Sequence, residues 1–345
     1  MSKLAIACFS TVIVLTGCGH AAPTAMTSTP SAVAAASALA ATPLPATSPS
    51  PAAPQPANLE CRLPVVAQAQ GGVERGWITF PGGQYAHDTA TLANPSSEHM
   101  PSYDWGVAAW VPVEQQYVSP DGSDYVVKID SRSNLPTGFY LVDAKTRSQR
   151  LIQSADGPGG GIYWTILAYQ GEGIYLGGLG AAGDAPTEVP GLWLLDPLAG
   201  HVRLIDRSHK WDVIGGGVAW AVDAPPNAVG TWMVYRLDLT TGQVNKSYVS
   251  NDFGGFVGPT PEGDVLVRGG ANGGAERLFL LTTTDQLLPL ALPADFGVDD
   301  YGYIAQPGVW MPLATGIALY TKADGVRDMA QSPYRQMLFP AAGCR

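Results

Sequence analysis

One short pattern recurs five times along this chain: an apolar run, a polar turn of about four to six residues, and a second strand-like run. The residue that follows each apolar run is Asp143, Asp196, Asp238, Thr282 or Thr321. These positions are 39 to 53 residues apart, with a mean of about 44. Each repeat therefore predicts a β-hairpin, and the regular spacing predicts a fold built from one repeated unit.

A second pair of strand-like segments precedes each hairpin, which gives four strands in each repeat of about 45 residues. That number of strands at that period is typical of a β-propeller blade. Five blades are visible from about Trp105, and the segment RGWITFPGGQYAHDTATL together with the terminal strands would supply another. The sequence predicts an all-β chain with six blades of four antiparallel strands. Seven blades and a two-sheet sandwich are the alternatives.

The turn Ser119-Pro120-Asp121-Gly122 supports this fold. Proline presets φ at the second turn position and glycine closes the turn. This SPDG hairpin resembles that of TolB-like and WD40-like propellers, and Thr260-Pro261-Glu262-Gly263 resembles a degenerate copy. The resemblance covers most of residues 105–340 and concerns architecture. A TolB-like propeller implies a face that binds another protein.

The amino terminus carries an export signal. Lys3 precedes an almost wholly apolar run from Leu4 to Leu15, too short for a membrane-spanning helix. The run ends Leu15-Thr16-Gly17-Cys18, which resembles the lipobox of bacterial lipoproteins. That resemblance implies a signal peptide over residues 1–17, acylation of Cys18, and a lipid anchor on the extracytoplasmic face of a membrane in the bacterial envelope. An ordinary secreted protein with a chance cysteine is the alternative.

Residues 18–59 are predicted to be a disordered tether. Residues 19–59 contain no Asp, Glu, Lys, Arg or aromatic residue and are rich in Ala, Pro, Ser and Thr, a composition that cannot bury a core. The composition changes at Glu60, so the folded domain is predicted to occupy residues 60–345. The formal net charge of the chain is −10 at pH 7, which disfavours nucleic acid and anionic lipid surfaces as partners.

Two cysteines remain for the folded domain, Cys61 at its start and Cys344 near its end. A propeller closes by joining its first and last blades, since otherwise two sheet edges stay exposed. A disulfide between these cysteines would lock that closure in an oxidising compartment. Two free thiols are the alternative, and the chain has no C-x-x-C motif for redox chemistry.

The sequence holds no H-E-x-x-H, G-x-S-x-G, P-loop or Rossmann glycine motif, so it predicts neither a catalytic residue nor a cofactor. Two clusters of polar residues are candidate sites, with solvated turns as the alternative for each. A histidine–carboxylate cluster for metal ligation or acid–base work comprises His87, Asp88, His99 and Asp104. An acidic loop that offers oxygen ligands for calcium comprises Asp295, Asp299 and Asp300, although its spacing is not that of an EF-hand.

The tryptophans divide into two predicted roles. Trp164, Trp193, Trp220 and Trp232 stand in strand patterns and are expected between blades, whereas Trp105 and Trp211 stand at loop edges where they could stack on sugars. Three functions follow as hypotheses. The first is a membrane-anchored envelope protein whose propeller binds or scaffolds a partner protein. The second is a propeller enzyme that acts on sugars, of lactonase, quinone-dependent dehydrogenase or lyase type, and the third is a glycan-binding module.

Overall fold

The structure is a computed structural model that describes residues 59–69, 72–90, 100–129, 137–154, 163–179, 191–224, 230–270, 277–292, 303–305, 307–332 and 337–345. These residues form 25 strands and one short 3-10 helix, Gln115–Tyr117. In chain order the strands are β1 (Cys61–Ala69), β2 (Gly72–Phe80), β3 (Gln84–His87), β4 (Ser102–Asp104), β5 (Ala109–Val111), β6 (Asp124–Ile129), β7 (Gly138–Asp143), β8 (Gln149–Ser154), β9 (Tyr163–Gln170), β10 (Gly173–Leu179), β11 (Leu192–Leu195), β12 (Val202–Asp206), β13 (Trp211–Gly215), β14 (Val218–Asp223), β15 (Trp232–Asp238), β16 (Val244–Ser250), β17 (Phe253–Pro259), β18 (Val265–Gly269), β19 (Arg277–Leu281), β20 (Leu287–Leu290), β21 (Tyr303–Ala305), β22 (Gly308–Leu313), β23 (Gly316–Thr321), β24 (Gly325–Gln331) and β25 (Leu338–Pro340).

The strands form six antiparallel blades, which confirms the predicted six-bladed β-propeller. Blades 3 to 6 each take four consecutive strands, β9–β12, β13–β16, β17–β20 and β21–β24. Blade 1 has the order β25-β1-β2-β3, so its innermost strand comes from the carboxyl terminus. Blade 2 is the sheet β6-β7-β8 and has three strands instead of the predicted four. The innermost strand position of blade 2 holds only the isolated bridge between Val118 and Tyr125.

The two chain ends close the ring in blade 1. Three residues of β25 pair with β1, and the backbones of Arg62 and Arg345 exchange hydrogen bonds of 2.7 and 3.2 Å. Beside them, Cys61 and Cys344 form the predicted disulfide, with a Cα–Cα distance of 5.5 Å across 283 residues of sequence. The segment RGWITFPGGQYAH lies in β2 and β3 of this blade, so the predicted contribution of both termini to one blade is also confirmed.

The repeated position of the sequence caps the outer hairpin of blades 2 to 6. In three blades the aspartate there, Asp143, Asp196 or Asp238, accepts the backbone N–H groups two and three residues later at 2.6 to 3.0 Å. The fourth residue after the aspartate has positive φ, which favours glycine as at Gly200 and Gly242, both at +71°. The turn is therefore specified locally, which is why the pattern is visible in the sequence.

The two SPDG-type turns lie at equivalent places, residues 260–263 between β17 and β18 of blade 5 and residues 119–122 between the Val118 bridge and β6 of blade 2. In both, the N–H of the glycine donates to the carbonyl of the first turn residue at 3.0 Å, Gly122 to Ser119 and Gly263 to Thr260. Gly122 has a φ of +73°, and a Cβ there would collide with the carboxylate of Asp104. Glycine is therefore required at this position by both conformation and space.

The core lies between neighbouring blades. Trp310 of blade 6 packs with Leu63 and Ile78 of blade 1, and Trp220 of blade 4 packs with Phe256 and other apolar residues of blade 5. Trp164 and Trp193 pack in the core between blades 2 and 3, and Trp232 borders the core between blades 4 and 5. These four positions match the predicted role of strand tryptophans in packing between blades.

An additional hairpin, β4–β5, fills the space between blades 1 and 2. Tyr103 and Trp110 of this hairpin pack against Val66, Trp77 and Phe339 of blade 1. On its other side, Val111 packs in a cluster with residues of blade 2. The hairpin thus supplies the apolar contacts that blade 2, with its shortened inner edge, does not make directly with blade 1.

Candidate functional site in the channel between the blades

A cavity of 660 Å³ lies where the innermost segments of blades 2 to 5 converge. Its described lining consists of four stretches, residues 114–120, 165–171, 212–214 and 256–259. Each is a run of consecutive residues, because an innermost strand presents its backbone edge and both of its side-chain faces to the central space. We call this space the channel cavity. Its volume lies within the range of ordinary ligand sites.

Each of the three full inner strands around the channel cavity bulges at a residue of its lining. The register of β9 with β10 skips Leu167, that of β13 with β14 skips Asp212, and that of β17 with β18 skips Val257. A bulge adds one residue to the strand and locally releases it from the ladder, which changes the direction of its side chain. The Asp212 side chain, which is 30% exposed, is placed in the cavity lining in this way.

Blade 2 opens the other side of the channel cavity. The 3-10 helix Gln115–Tyr117 occupies the place of an inner strand, and after it only Val118 bridges to Tyr125 of β6. Beyond Tyr125, the inner edge of β6 has no strand partner among the residues that the structure describes. The sequence accounts for this, since Glu114, Gln115 and Gln116 follow Pro112 and lack the β-branched or aromatic side chains that favour a strand.

The cavity lining is acidic and rich in hydrogen-bond acceptors. Among the described residues that form it, Glu114 and Asp212 are the ionisable acids, and none is Lys, Arg or His. The side-chain oxygen of Gln115, Oε1, is buried and accepts no hydrogen bond from a described residue. Glu114 Oε2 accepts a hydrogen bond of 3.1 Å from Gln116 Nε2. Hydroxyl and amide groups and several apolar side chains complete the wall.

Two pKa shifts follow from this environment. Burial raises the pKa of Asp212 above its usual value, Lys210 at 4.0 Å opposes the shift, and the charge of Asp223 adds to it. The Asp212 side chain nevertheless keeps 30% of its exposure, as expected for a group enclosed by protein but facing a cavity. Burial also raises the pKa of Tyr169 to about 12, with further contributions from Asp124 and Asp121. Both shifts reflect surroundings in which added negative charge is unfavourable.

Blade 4 also holds a histidine–aspartate pair, outside the described lining of the channel cavity. His209 Nδ1 is 2.6 Å from Asp223 Oδ2, and the imidazole ring stacks on Tyr235 with ring centroids 3.8 Å apart. The His209 side chain is 14% exposed. A carboxylate on Nδ1 and a stacked ring fix the orientation of the imidazole, which is the arrangement that a general base requires. The two residues are 14 positions apart and belong to no local motif, so sequence reasoning missed them.

The predicted histidine–carboxylate cluster does not assemble as such. Asp88 Oδ2 accepts the indole N–H groups of Trp77 and Trp110 at 2.9 and 2.7 Å. Burial raises the pKa of Asp88, but these bonds, with others, hold it below the usual value. Asp104 is buried and accepts the Gly106 N–H at 2.7 Å. His87 is exposed. Both carboxylates therefore organise structure, and His99 lies outside the described residues.

The other predicted site residues have mixed outcomes. Trp211 is 1% exposed and donates its indole N–H to Asp206 at 2.9 Å, so the prediction that it stacks on sugars is wrong. Trp105 is half-buried, and its indole N–H donates to Gly343 O at 2.8 Å. Cys18 and the calcium candidates Asp295, Asp299 and Asp300 lie outside the described residues, and those predictions stay untested.

Within the described ranges, no group of three or more His, Cys, Asp or Glu side chains has the arrangement of a metal site. No helix in the same part of the chain is long and apolar enough to cross a membrane. The described residues thus offer the channel cavity and the His209–Asp223 pair as the two places where side chains of functional chemistry gather.

The chain is similar to several solved structures of low sequence identity. TolB from Acinetobacter baumannii is 14% identical with a TM-score of 0.43, and the match covers 83% of this chain and 65% of TolB. An oligogalacturonate lyase in complex with manganese is 10% identical with a TM-score of 0.46, covering 79% of this chain and 74% of the lyase. The acylaminoacyl peptidase of Pyrococcus horikoshii is 13% identical with a TM-score of 0.44, covering 79% and 44%.

The chain thus spans less than two thirds of the length of TolB and of the peptidase. No protein-family model matches the sequence, and no curated protein matches it either. The six-bladed propeller is established by the strand order of the chain itself.

Proposed function

We propose that this chain is a lipid-anchored protein of the bacterial envelope whose propeller binds a partner protein through the channel cavity. The anchor would be the acylated Cys18, and residues 18–59 would tether the propeller to the membrane. Two or three acyl chains suffice for stable attachment, whereas one alone would bind reversibly.

The observation that carries the proposal is the channel cavity, which draws its described lining from the innermost segments of four blades. Where the other three blades place an inner strand, blade 2 places the 3-10 helix Gln115–Tyr117, and the side-chain oxygen of Gln115 is buried there and accepts no hydrogen bond from a described residue. A buried acceptor of this kind is costly unless a donor reaches it. A segment of a partner protein that enters the cavity could supply that donor and contact all four blades at once.

The test is photo-crosslinking in intact cells. A benzophenone amino acid replaces Gln116, an exposed residue of the cavity lining, and the matched control replaces Lys246, an exposed residue of the outermost strand of blade 4. We expect one dominant crosslinked envelope protein from position 116 and none from position 246. Cys18→Ala should strongly reduce the product, because the protein would no longer be held at the membrane. Equal crosslinking at both positions, or none at 116, contradicts the proposal.

A second function, an enzyme acting on sugars, is favoured by the His209–Asp223 pair alone. The pair orients an imidazole that could take a proton from a water or a hydroxyl group. Glucono-δ-lactone is a suitable probe, with hydrolysis followed by acid release. Loss of activity in His209→Gln and Asp223→Asn, with activity retained in the exposed turn variant His201→Gln, would support this function. Hydrolysis no faster than in buffer excludes lactonase activity on this probe.

A further inference from the structure

The channel cavity has an excess of acceptors over donors, and that excess constrains what it can bind. The two carboxylates of its described lining, Glu114 and Asp212, come from blades 2 and 4 and so stand on either side of β9. The buried Gln115 Oε1 adds an acceptor that no described residue satisfies. A ligand that enters this space must donate hydrogen bonds if the buried acceptors are not to remain unpaired.

The charges just outside the lining extend the same pattern. The negative charges of Asp121 and Asp124 help to raise the pKa of Tyr169, and that of Asp223 helps to raise the pKa of Asp212. Two cations oppose them. The positive charge of Arg150 lowers the pKa of Tyr169. Lys210 lies 4.0 Å from Asp212, and half of its side chain is exposed. The described lining itself carries two carboxylates and no Lys, Arg or His, and a negatively lined concave surface concentrates positively charged groups.

Part of the wall is apolar and suits an aliphatic stem. Leu167 of β9 and Val213 of β13 are partly exposed and contribute to the lining, whereas the side chains of Ile166 and Val257 are buried in the cores between blades. Lysine and arginine carry a charged head on an apolar stem, and they bury the stem along apolar surface while the head reaches polar partners. The cavity provides both kinds of surface within one space of 660 Å³.

We propose that the channel cavity accepts a lysine or arginine side chain from an extended segment of the partner, with its cationic head between Glu114 and Asp212. The inference rests on the proposed binding of a partner protein and adds which kind of segment is selected. Glu114 and Asp212 would both accept hydrogen bonds from the cation. Acidic segments would be excluded by repulsion from the same carboxylates.

The test uses three fluorescein-labelled peptides that differ at one position, Ser-Val-Lys-Val-Ser and its norleucine and glutamate analogues, with blocked termini. Their binding to the full-length protein in detergent is measured by fluorescence polarisation. Norleucine keeps the aliphatic stem of lysine and lacks its charge, so the comparison isolates the cation. We expect the lysine peptide to bind about tenfold more tightly than the norleucine peptide. The glutamate peptide should bind most weakly.

The variants Glu114→Gln and Asp212→Asn keep the size of the side chains and remove one charge each. Each should reduce the preference for lysine, and the double variant should abolish it. Asp328→Asn is the matched control, since Asp328 is exposed on the outermost strand of blade 6 and outside the cavity lining. Melting temperatures confirm that each variant is folded.

Equal binding of the lysine and norleucine peptides overturns the inference, as does an unchanged preference in the double variant. Failure of all three peptides to bind at millimolar concentration also overturns it. The crosslink from position 116 separates this failure from that of the proposed function. If that crosslink persists at wild-type yield in the double variant, a partner binds in the cavity without using a cation.

Discussion

Replacing Cys61 and Cys344 by serine removes the covalent closure of the propeller and should cost much of its stability. The two cysteines are 283 residues apart in sequence, so the bridge closes a loop that includes nearly the whole domain. In the chain-entropy account of disulfides, a loop of that length stabilises the folded state by about 5 kcal/mol, because the reduced unfolded chain has far more conformations. A loss of that size is comparable to the total stability of many domains.

The noncovalent closure that remains combines short backbone pairing with the burial of Leu338 and Phe339 of β25 in the cores beside blade 1. Only three residues of β25 pair with β1, whereas β1 and β2 pair along nine residues. Two further backbone hydrogen bonds join Arg62 and Arg345, and the indole of Trp105 donates one to Gly343 O at 2.8 Å. The double serine variant should therefore stay folded with a weakened closure between β25 and β1.

Urea unfolding followed by tryptophan fluorescence measures the effect. We expect the double serine variant and the reduced wild type to show the same lowered midpoint, and a melting temperature about 10 °C below that of the oxidised protein. Cys18→Ala should match the wild type, because Cys18 lies outside the disulfide. A loss below about 1 kcal/mol would refute the reasoning, since the chain-entropy account requires several times more.

Three further predictions concern single side chains. Gly200→Ala should lower the free energy of unfolding by about 2 kcal/mol, because positive φ is unfavourable for alanine and its Cβ would collide with the carbonyl oxygen of Ile152. Gly242→Ala is the control, since Gly242 has the same φ but open space around it, and this variant should lose about 1 kcal/mol. Equal losses of the two variants in urea unfolding would contradict this reasoning. The pKa of Asp88 is lowered in the folded state, so ionised Asp88 stabilises the fold above the pKa of the unfolded chain, and this stabilisation is lost as the pH falls through the pKa of the folded state. Asp88→Asn should lower the free energy of unfolding by about 1 to 2 kcal/mol at pH 7 and leave it unchanged in strong acid. Burial raises the pKa of Asp104, so ionisation of this carboxyl lowers the stability of the folded state as the pH rises above the pKa of the unfolded chain. Asp104→Asn should therefore raise the free energy of unfolding by about 1 kcal/mol at neutral pH. A lower free energy of unfolding for this variant would count against the reasoning.

The candidate site was much less predictable than the fold. The channel cavity draws its lining from four stretches that span residues 114 to 259, and Glu114 and Asp212 are 98 positions apart. The interrupted strand at Glu114, Gln115 and Gln116 was the one local signal, since it breaks the pattern of the other blades. The bulge that places Asp212 in the lining depends on the register between β13 and β14, and no motif records that register.

The sequence by itself determined the features that local interactions specify. Three of these features depend on hydrogen bonds and backbone conformations within a few residues. They are the hairpin caps at Asp143, Asp196 and Asp238, the turns that end in Gly122 and Gly263, and the period of about 44 residues. The disulfide was also predictable, because a closed ring must bring its two ends together.

Tertiary structure alone decided the rest. Blade 2 has three strands, and the β4–β5 hairpin packs beside it. Trp211 is buried, His209 lies against Asp223, and Glu114 lines the same cavity as Asp212. Each of these outcomes depends on packing between blades or on register between strands. Such contacts join residues that are distant in sequence, and their free energy depends on the whole assembled ring.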